Sequence, residues 1–202
     1  PFIYATLFKK GYDDKLKILD EQTNFGLWGG KEYQPLNYDG KFRGWVTVRE
    51  ALAQSLNIPS IKLLYLIGAK EKYESLGINN FLGLEKVILE GLKESIETAK
   101  EMGITTLNKP ISFYGPSIVL GGGEVNLLDM VTAYAVFANE GEKVNVFPIL
   151  KIEDSKGNII FEKKNYKIRV LEKNIANLIT DILSDNEARS PMFGLRSHLY
   201  FE

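Results

Sequence analysis

The 202-residue chain contains no cysteine and only one histidine, His198. Disulfides and thiolate metal sites are therefore excluded, and a zinc site has almost no ligands to draw on. The lack of cysteine leaves every compartment open. No apolar run approaches the roughly 20 residues of a membrane span, and no signal peptide opens the chain. Neither sign of charge is in excess: 25 Lys and Arg stand against 26 Asp and Glu, a formal net charge of −1. Without a basic block, nucleic acid is not an expected partner. GxSxG, GxGxxG and a P-loop lysine are also missing, and a Ser-His-Asp triad would have to use His198 in an aperiodic tail. No repeat or low-complexity segment is visible. What remains is 45% hydrophobic and 25% charged, an ordinary globular composition on a chain long enough to bury a core.

The stretch Thr47–Asn57, TVREALAQSLN, organises the reading. Thr47 and Glu50 form a capping box, so a helix should begin at Val48, with Leu52 as an apolar contact and Ala51 and Ala53 allowing close packing. That helix cannot run past Ser55-Leu56-Asn57, because Pro59 disfavours helical geometry at Ile58. Pro59 suits the first turn of a following helix, PSIKLLYLIG, which Gly68 can end. Ser55 and Asn57 thus sit in a break between two apolar helices. Taken alone, a serine and an asparagine there are ordinary helix-end residues. A rigid break is also a good place to present a hydroxyl and an amide.

Around this stretch the pattern is mainly helical. Residues Phe2–Lys10 read as a helix stopped by Gly11, and no cap precedes Pro1, so the helix is expected to be the continuation of a longer one. Tyr12–Trp45 reads as a long loop held down by Phe25, Trp28, Tyr33 and Tyr38. LEKVILEGLKESIETAKEM has the stripe Leu84, Val87, Ile88, Leu92, Ile96 and Ala99. A helix from Asn126 has the stripe Leu127, Val131, Tyr134, Ala135 and Ala138. A β-hairpin is expected over 144–163, around Asp154-Ser155-Lys156-Gly157. LEKNIANLITDILSD is a last amphipathic helix, and NEARSPMFGLRSHLYFE reads as loop. The run Gly121-Gly122-Gly123 could cradle an anion, but a tight crossing that lets the Asn126 helix pack closely is simpler. Carboxylates at Asp13-Asp14 and Asp20-Glu21 read as solvated loop charges rather than a magnesium site. Neither metal nor cofactor is expected.

Taken together, YDGKFRGWVTVREALAQSLNIPSIKLL resembles the second-motif region of penicillin-binding proteins, specifically the bifunctional class A type. The resemblance continues through YGPSIVLGGGEVNLLDMVTAYAVFANEG, PILKIEDSKGNIIFE and LITDILSDNEARSPMFGL, and PFIYATLFKKGY is similar to the stretch after the first motif. It implies an α+β fold, predominantly α here: the central helical part of a penicillin-binding/β-lactamase-like transpeptidase domain over 1–202, with the hairpin included. The departure is Lys70–Leu92, longer than the usual connector and expected to be an extra helical hairpin.

In this family S-x-x-K, S-x-N and K-T-G build one site. The first serine attacks the D-Ala-D-Ala carbonyl of a peptidoglycan stem peptide, a second stem's amine resolves the acyl-enzyme, and β-lactams trap the same serine. The resemblance assigns Ser55 and Asn57 to S-x-N: the hydroxyl relays protons, and the amide bonds the substrate carbonyl and the first-motif lysine. Pro1 falls directly after that lysine, and K-T-G would follow Glu202. The fragment is therefore expected to lack nucleophile and oxyanion strand and to be inactive alone. Implied partners are stem peptides, β-lactams and a glycosyltransferase domain in the same parent chain. The implied location is the extracytoplasmic face of the bacterial cytoplasmic membrane, reached through a segment absent here. The alternative is a non-catalytic helical module that binds peptidoglycan or a cell-wall partner protein.

Overall fold

The computed structural model describes residues 1–164, 166–198 and 200. Helix α1 (Phe2–Lys9) lies at the centre, buried from Ile3 through Phe8. Strands β1 (Lys17–Asp20), β2 (Leu27–Trp28), β3 (Lys31–Glu32) and β4 (Gly44–Thr47) follow, so the stretch expected as loop contains short strands. Next come α2 (Val48–Ala53), α3 (Asn57–Gly68), β5 (Ser75–Leu76) and α4 (Glu85–Met102). The short α5 (Ile111–Tyr114), a 3-10 turn at Pro116–Leu120, and α6 (Leu127–Ala138) lead to β6 (Glu142–Val144), β7 (Lys151–Glu153), β8 (Ile159–Glu162) and β9 (Lys167–Arg169). The chain then forms α7 (Lys173–Ser184) and α8 (Asn186–Phe193).

Strand β1 is central in a three-stranded sheet, antiparallel to β4 and parallel to β5. Its alternation puts Ile18 and Asp20 on the buried face, so a carboxylate enters the core side of the sheet. Helices α1, α3, α4 and α7 pack together, with α2 against α3 and α7. Phe25 is fully buried and stacks on Phe81 at 5.3 Å, with Tyr33 at 6.3 Å from Phe25. Strands β7 and β8 pair antiparallel, and every residue in both is exposed.

Several expectations need correction. Tyr38 does not hold the 12–45 segment down: it is 93% exposed. Between residues 69 and 84 the chain has no helix, only β5 and turns, and helix begins at Glu85. Within 70–92 a helical hairpin is therefore absent, because Gly77, Asn79, Asn80 and Gly83 favour turns. Helix α6 forms, but it buries Ala133, Val136 and Phe137 and leaves Leu127 and Val131 exposed. It is apolar nearly all round, so its period allowed either face; packing against α4 and α7 sets the buried one, and Phe2 meets both Tyr134 at 5.6 Å and Phe137 at 5.9 Å. The tail contains α8, started by Asp185, whose carboxylate accepts from Ala188 N–H at 2.9 Å. Pro191 is tolerated inside because Glu187 O, denied that N–H, accepts from the Ser190 hydroxyl at 2.9 Å. Leu199, Phe201 and Glu202 of that tail lie outside the described residues. The glycine run is a tight crossing, but against the preceding turn rather than α6. A Cβ on Gly122 would come 3.0 Å from the Ser117 backbone, and one on Gly123 2.9 Å from Leu107.

Candidate active site

Helix α2 begins as its capping box dictates: Thr47 Oγ1 accepts from Glu50 N–H at 3.1 Å, and Glu50 accepts from Thr47 N–H at 2.7 Å. Its far end carries the candidate site. Leu56 N–H donates to Ala51 O at 2.9 Å and Ser55 N–H to Leu52 O at 3.1 Å, the two bonds of a Schellman turn. Such a turn needs a left-handed residue, normally glycine. Here that residue is Ser55, with φ of 56°. The backbone inversion leaves Ser55 exposed, while Leu56 behind it is fully buried.

Asn57 is the first residue of α3, two residues beyond the inversion. Its N-cap, Leu56, has no side chain able to accept from the opening N–H groups. Asn37 supplies the cap from a distant loop, its Oδ1 accepting from Asn57 N–H at 2.9 Å and Ile58 N–H at 3.3 Å. The Asn57 side chain donates through Nδ2 to Leu36 O at 2.7 Å, which leaves its second N–H and its Oδ1 unpaired among the described residues. Asn37 in turn donates through Nδ2 to both Asp20 oxygens at 2.9 Å and to Lys41 O at 2.8 Å. Arg43 N–H donates to the same carboxylate at 2.9 Å.

On the other side, Ser60 Oγ donates to Leu56 O, and Tyr4 OH lies 2.7 Å from Ser60 Oγ. With the serine proton committed to Leu56, the tyrosine is the donor. Burial raises the Tyr4 phenol well above its ordinary value. The turn is thus tied to β1 through Asn37 and Asp20, and to α1 through Ser60 and Tyr4.

Two carboxylates expected to be solvated are not. Asp20 is fully buried, and burial raises its pKa despite the pull of the Asn37 and Arg43 N–H groups. Asp14 is buried against Arg49, whose guanidinium binds Asp14 at 2.7 Å, Asp181 at 2.6 Å and Asp185 at 2.9 Å. Lys62 is a buried cation that periodicity did not single out. Its Nζ donates to Leu19 O at 2.7 Å, and burial lowers its pKa to about 8 while Glu21 and Asp20 oppose the shift. Asn37 also went unnoticed, because its partners lie 17 and 20 residues away. The nearest signal was the Asp39-Gly40 turn that folds Lys41 O back toward it.

A helical assembly with a small flanking sheet thus holds the Ser-x-Asn turn between α2 and α3. Residues 5–192 match the family model described as the penicillin binding protein transpeptidase domain, and the chain belongs to that family. It is 28% identical to penicillin-binding protein 2D of Bacillus subtilis, over 91% of this chain and 23% of that protein. It is 34% identical to penicillin-binding protein 1A of Neisseria flavescens, over 79% of this chain and 17% of that protein. The chain therefore spans less than a quarter of the length of these curated relatives. The fold matches that of penicillin-binding protein 1A from Haemophilus influenzae, with a TM-score of 0.70 at 23% identity over 93% of this chain and 28% of that one. PonA1 from Mycobacterium tuberculosis gives 0.70 at 18% identity, over 98% of this chain and 48% of that one.

Proposed function

We propose that this segment forms one wall of the catalytic cleft of a serine-type D,D-transpeptidase of the bifunctional class A type. The parent enzyme crosslinks peptidoglycan stem peptides on the outer face of the cytoplasmic membrane and is acylated by β-lactams. The observation that carries this reading is the Ser55 inversion: a strained serine where glycine would be easier, exposed two residues before an anchored asparagine. Strained backbone concentrates at working sites, and among the described non-glycine residues only Ser55 and Glu140 have a positive φ. Support also comes from the relatives named 1A and 1B, and from structures sharing this fold that have been solved as an imipenem acyl-enzyme or with penicillin V.

In this reading the nucleophile belongs to a Ser-x-x-Lys preceding Pro1, and Lys-Thr-Gly follows Glu202. Ser55 passes a proton between the nucleophile's surroundings and the leaving nitrogen. Asn57 uses its free N–H for the substrate carbonyl and its Oδ1 for the first-motif lysine. Both tasks need short polar groups held in one place. The glycosyltransferase domain of the same parent chain supplies the glycan strands.

The test is Ser55→Ala and Asn57→Ala in the full chain carrying all three motifs. Transpeptidation should fall by about 10²–10⁴-fold, the range of positioned acid–base groups, with the folded fraction little changed. Unchanged rates would reduce Ser55 to a helix cap and favour a non-catalytic module that binds peptidoglycan or a cell-wall partner. The 202-residue chain alone should not be labelled by a fluorescent penicillin; stoichiometric labelling would overturn the motif assignment.

A further inference from the structure

The Ser55–Asn57 turn is held by groups that belong to no motif of its own. Its chain direction reverses at Ser55, and α3 must start at once. Leu56 cannot cap α3, because it is the buried apolar residue that the Schellman turn requires. The cap is therefore supplied from the loop after β3, and two successive residues of that loop hold Asn57. Leu36 O accepts from its side chain at 2.7 Å, and Asn37 Oδ1 accepts from its backbone at 2.9 Å.

Asn37 is itself immobilised. It is 3% exposed, and its Oδ1 accepts two N–H groups while its Nδ2 spans the Asp20 carboxylate and Lys41 O. Turning the amide over would set N–H against N–H on one side and carbonyl against carboxylate on the other. Asp20 enforces this orientation. Burying its carboxylate is unfavourable unless its oxygens are bonded, and among the described residues no cation pairs with it directly: the Arg43 guanidinium goes to Asp39 and the Lys62 ammonium to Leu19 O. An N-cap side chain at the helix itself would be the simpler device if helix stability were all that mattered.

We propose that Asn37, locked by Asp20, is a positioning residue for catalysis: it sets where Asn57, and through the two-residue turn Ser55, stand relative to the reacting atoms. This rests on the transpeptidase reading of Ser55 and Asn57 given above. Asn37 touches no substrate; it acts through Asn57.

The experiment uses the full chain with its three motifs and four variants: Asn37→Ala, Asn37→Asp, Asp20→Asn, and the exchange Asp20→Asn with Asn37→Asp. Acylation by a fluorescent penicillin is followed to completion. The saturating rate constant is expressed per labelled site, and the melting temperature is recorded alongside. Asn37→Ala should lower that rate constant by about 10–100-fold, the effect of an ångström-scale misplacement. Asn37→Asp sets two carboxylates against each other and should do the same. The exchange should recover part of the rate: the residue-20 amide can donate to the residue-37 carboxylate, which still accepts from Asn57 and Ile58 N–H, while its second oxygen faces Lys41 O without the lost N–H.

A merely structural role would lower the melting temperature and the labelled fraction but leave the rate per labelled site unchanged, and that result overturns the proposal. An exchange no faster than Asn37→Asp alone also overturns it. If Asn37→Ala does not accumulate folded, Asp20→Asn, one step further from the turn, is judged by the same criterion. Ser55→Ala and Asn57→Ala run in parallel: if they slow acylation and the Asn37 variants do not, only this inference fails. If they too are silent, the reading beneath it fails.

Discussion

Gly68 and Gly91 meet backbone to backbone where α3 crosses α4. A Cβ on Gly91 would lie 1.9 Å from Leu64 O, and one on Gly68 would lie 2.0 Å from Val87 O. Two opposed tendencies therefore act on Gly91→Ala. Helix propensity favours alanine by about 1 kcal/mol, whereas an overpacked contact against rigid backbone destabilises by roughly 1–3 kcal/mol or more. Overpacking should win, since no side chain can move aside. Urea denaturation of Gly91→Ala should show a net loss of about 2 kcal/mol, and a gain would mean that the helices separate easily.

At Ser55 the backbone strain and the chemistry pull in different directions. The left-handed conformation disfavours any residue with a Cβ by about 1–2 kcal/mol. Ser55→Gly should therefore be more stable than Ser55→Ala by about 1 kcal/mol, with both equally poor in transpeptidation. Paired denaturation curves check the first statement and turnover checks the second. Equal stabilities would mean that the turn relaxes out of its left-handed form.

Arg49 joins the start of α2 to Asp14, Asp181 and Asp185. Arg49→Ala leaves the buried Asp14 and half-buried Asp185 carboxylates without a counter-charge and should destabilise by about 1–3 kcal/mol at pH 7. The Asp185 pKa lies below its ordinary 3.8, held there by Ala188 N–H first and by Arg49 as well. A lowered carboxylate pKa contributes stability that is complete above the unfolded value, near pH 4, and is lost as pH falls through the folded value. Urea midpoints from pH 7 to pH 3 should fall less steeply below about pH 4 in Arg49→Ala than in the parent.

Lys62 gives a dependence of the same sign in an alkaline window. Burial lowers its pKa from 10.5 to about 8, so between those values the unfolded chain keeps a proton that the folded one has shed. Stability then rises with pH across that window. Lys62→Met keeps the buried stem and removes the ionisation. Denaturation midpoints at pH 8 and pH 10 should separate in the parent and converge in the variant.

What could be read in the residues is what short-range physics decides. Thr47 and Glu50 announce α2, and the stripe through Ile88, Leu92, Ile96 and Ala99 identifies α4, with all four buried. Pro59 does not make the break: Ile58 is already helical in α3, which starts at Asn57, and the chain turns at Ser55 instead. The candidate pair Ser55 and Asn57 was visible because the break is local. Its supports were not. Asp20 looks like a loop carboxylate until Asn37 and Arg43 N–H close over it. In α6 the residues offered two apolar faces, and packing against the distant α4 and α7 selects one. In α8 Pro191 disguised a helix whose lost backbone bond a neighbouring serine makes good.

Helix α1 touches α3 and α4 and also α7, which begins only at Lys173. Every residue from α1 through α7 must therefore be in place before α1 is fully enclosed. Joining ends so far apart carries an entropic penalty and slows folding. Until α7 docks, α1 lacks one of the three helices that enclose it. A segment that ends before α7 should therefore expose apolar surface of its own central helix.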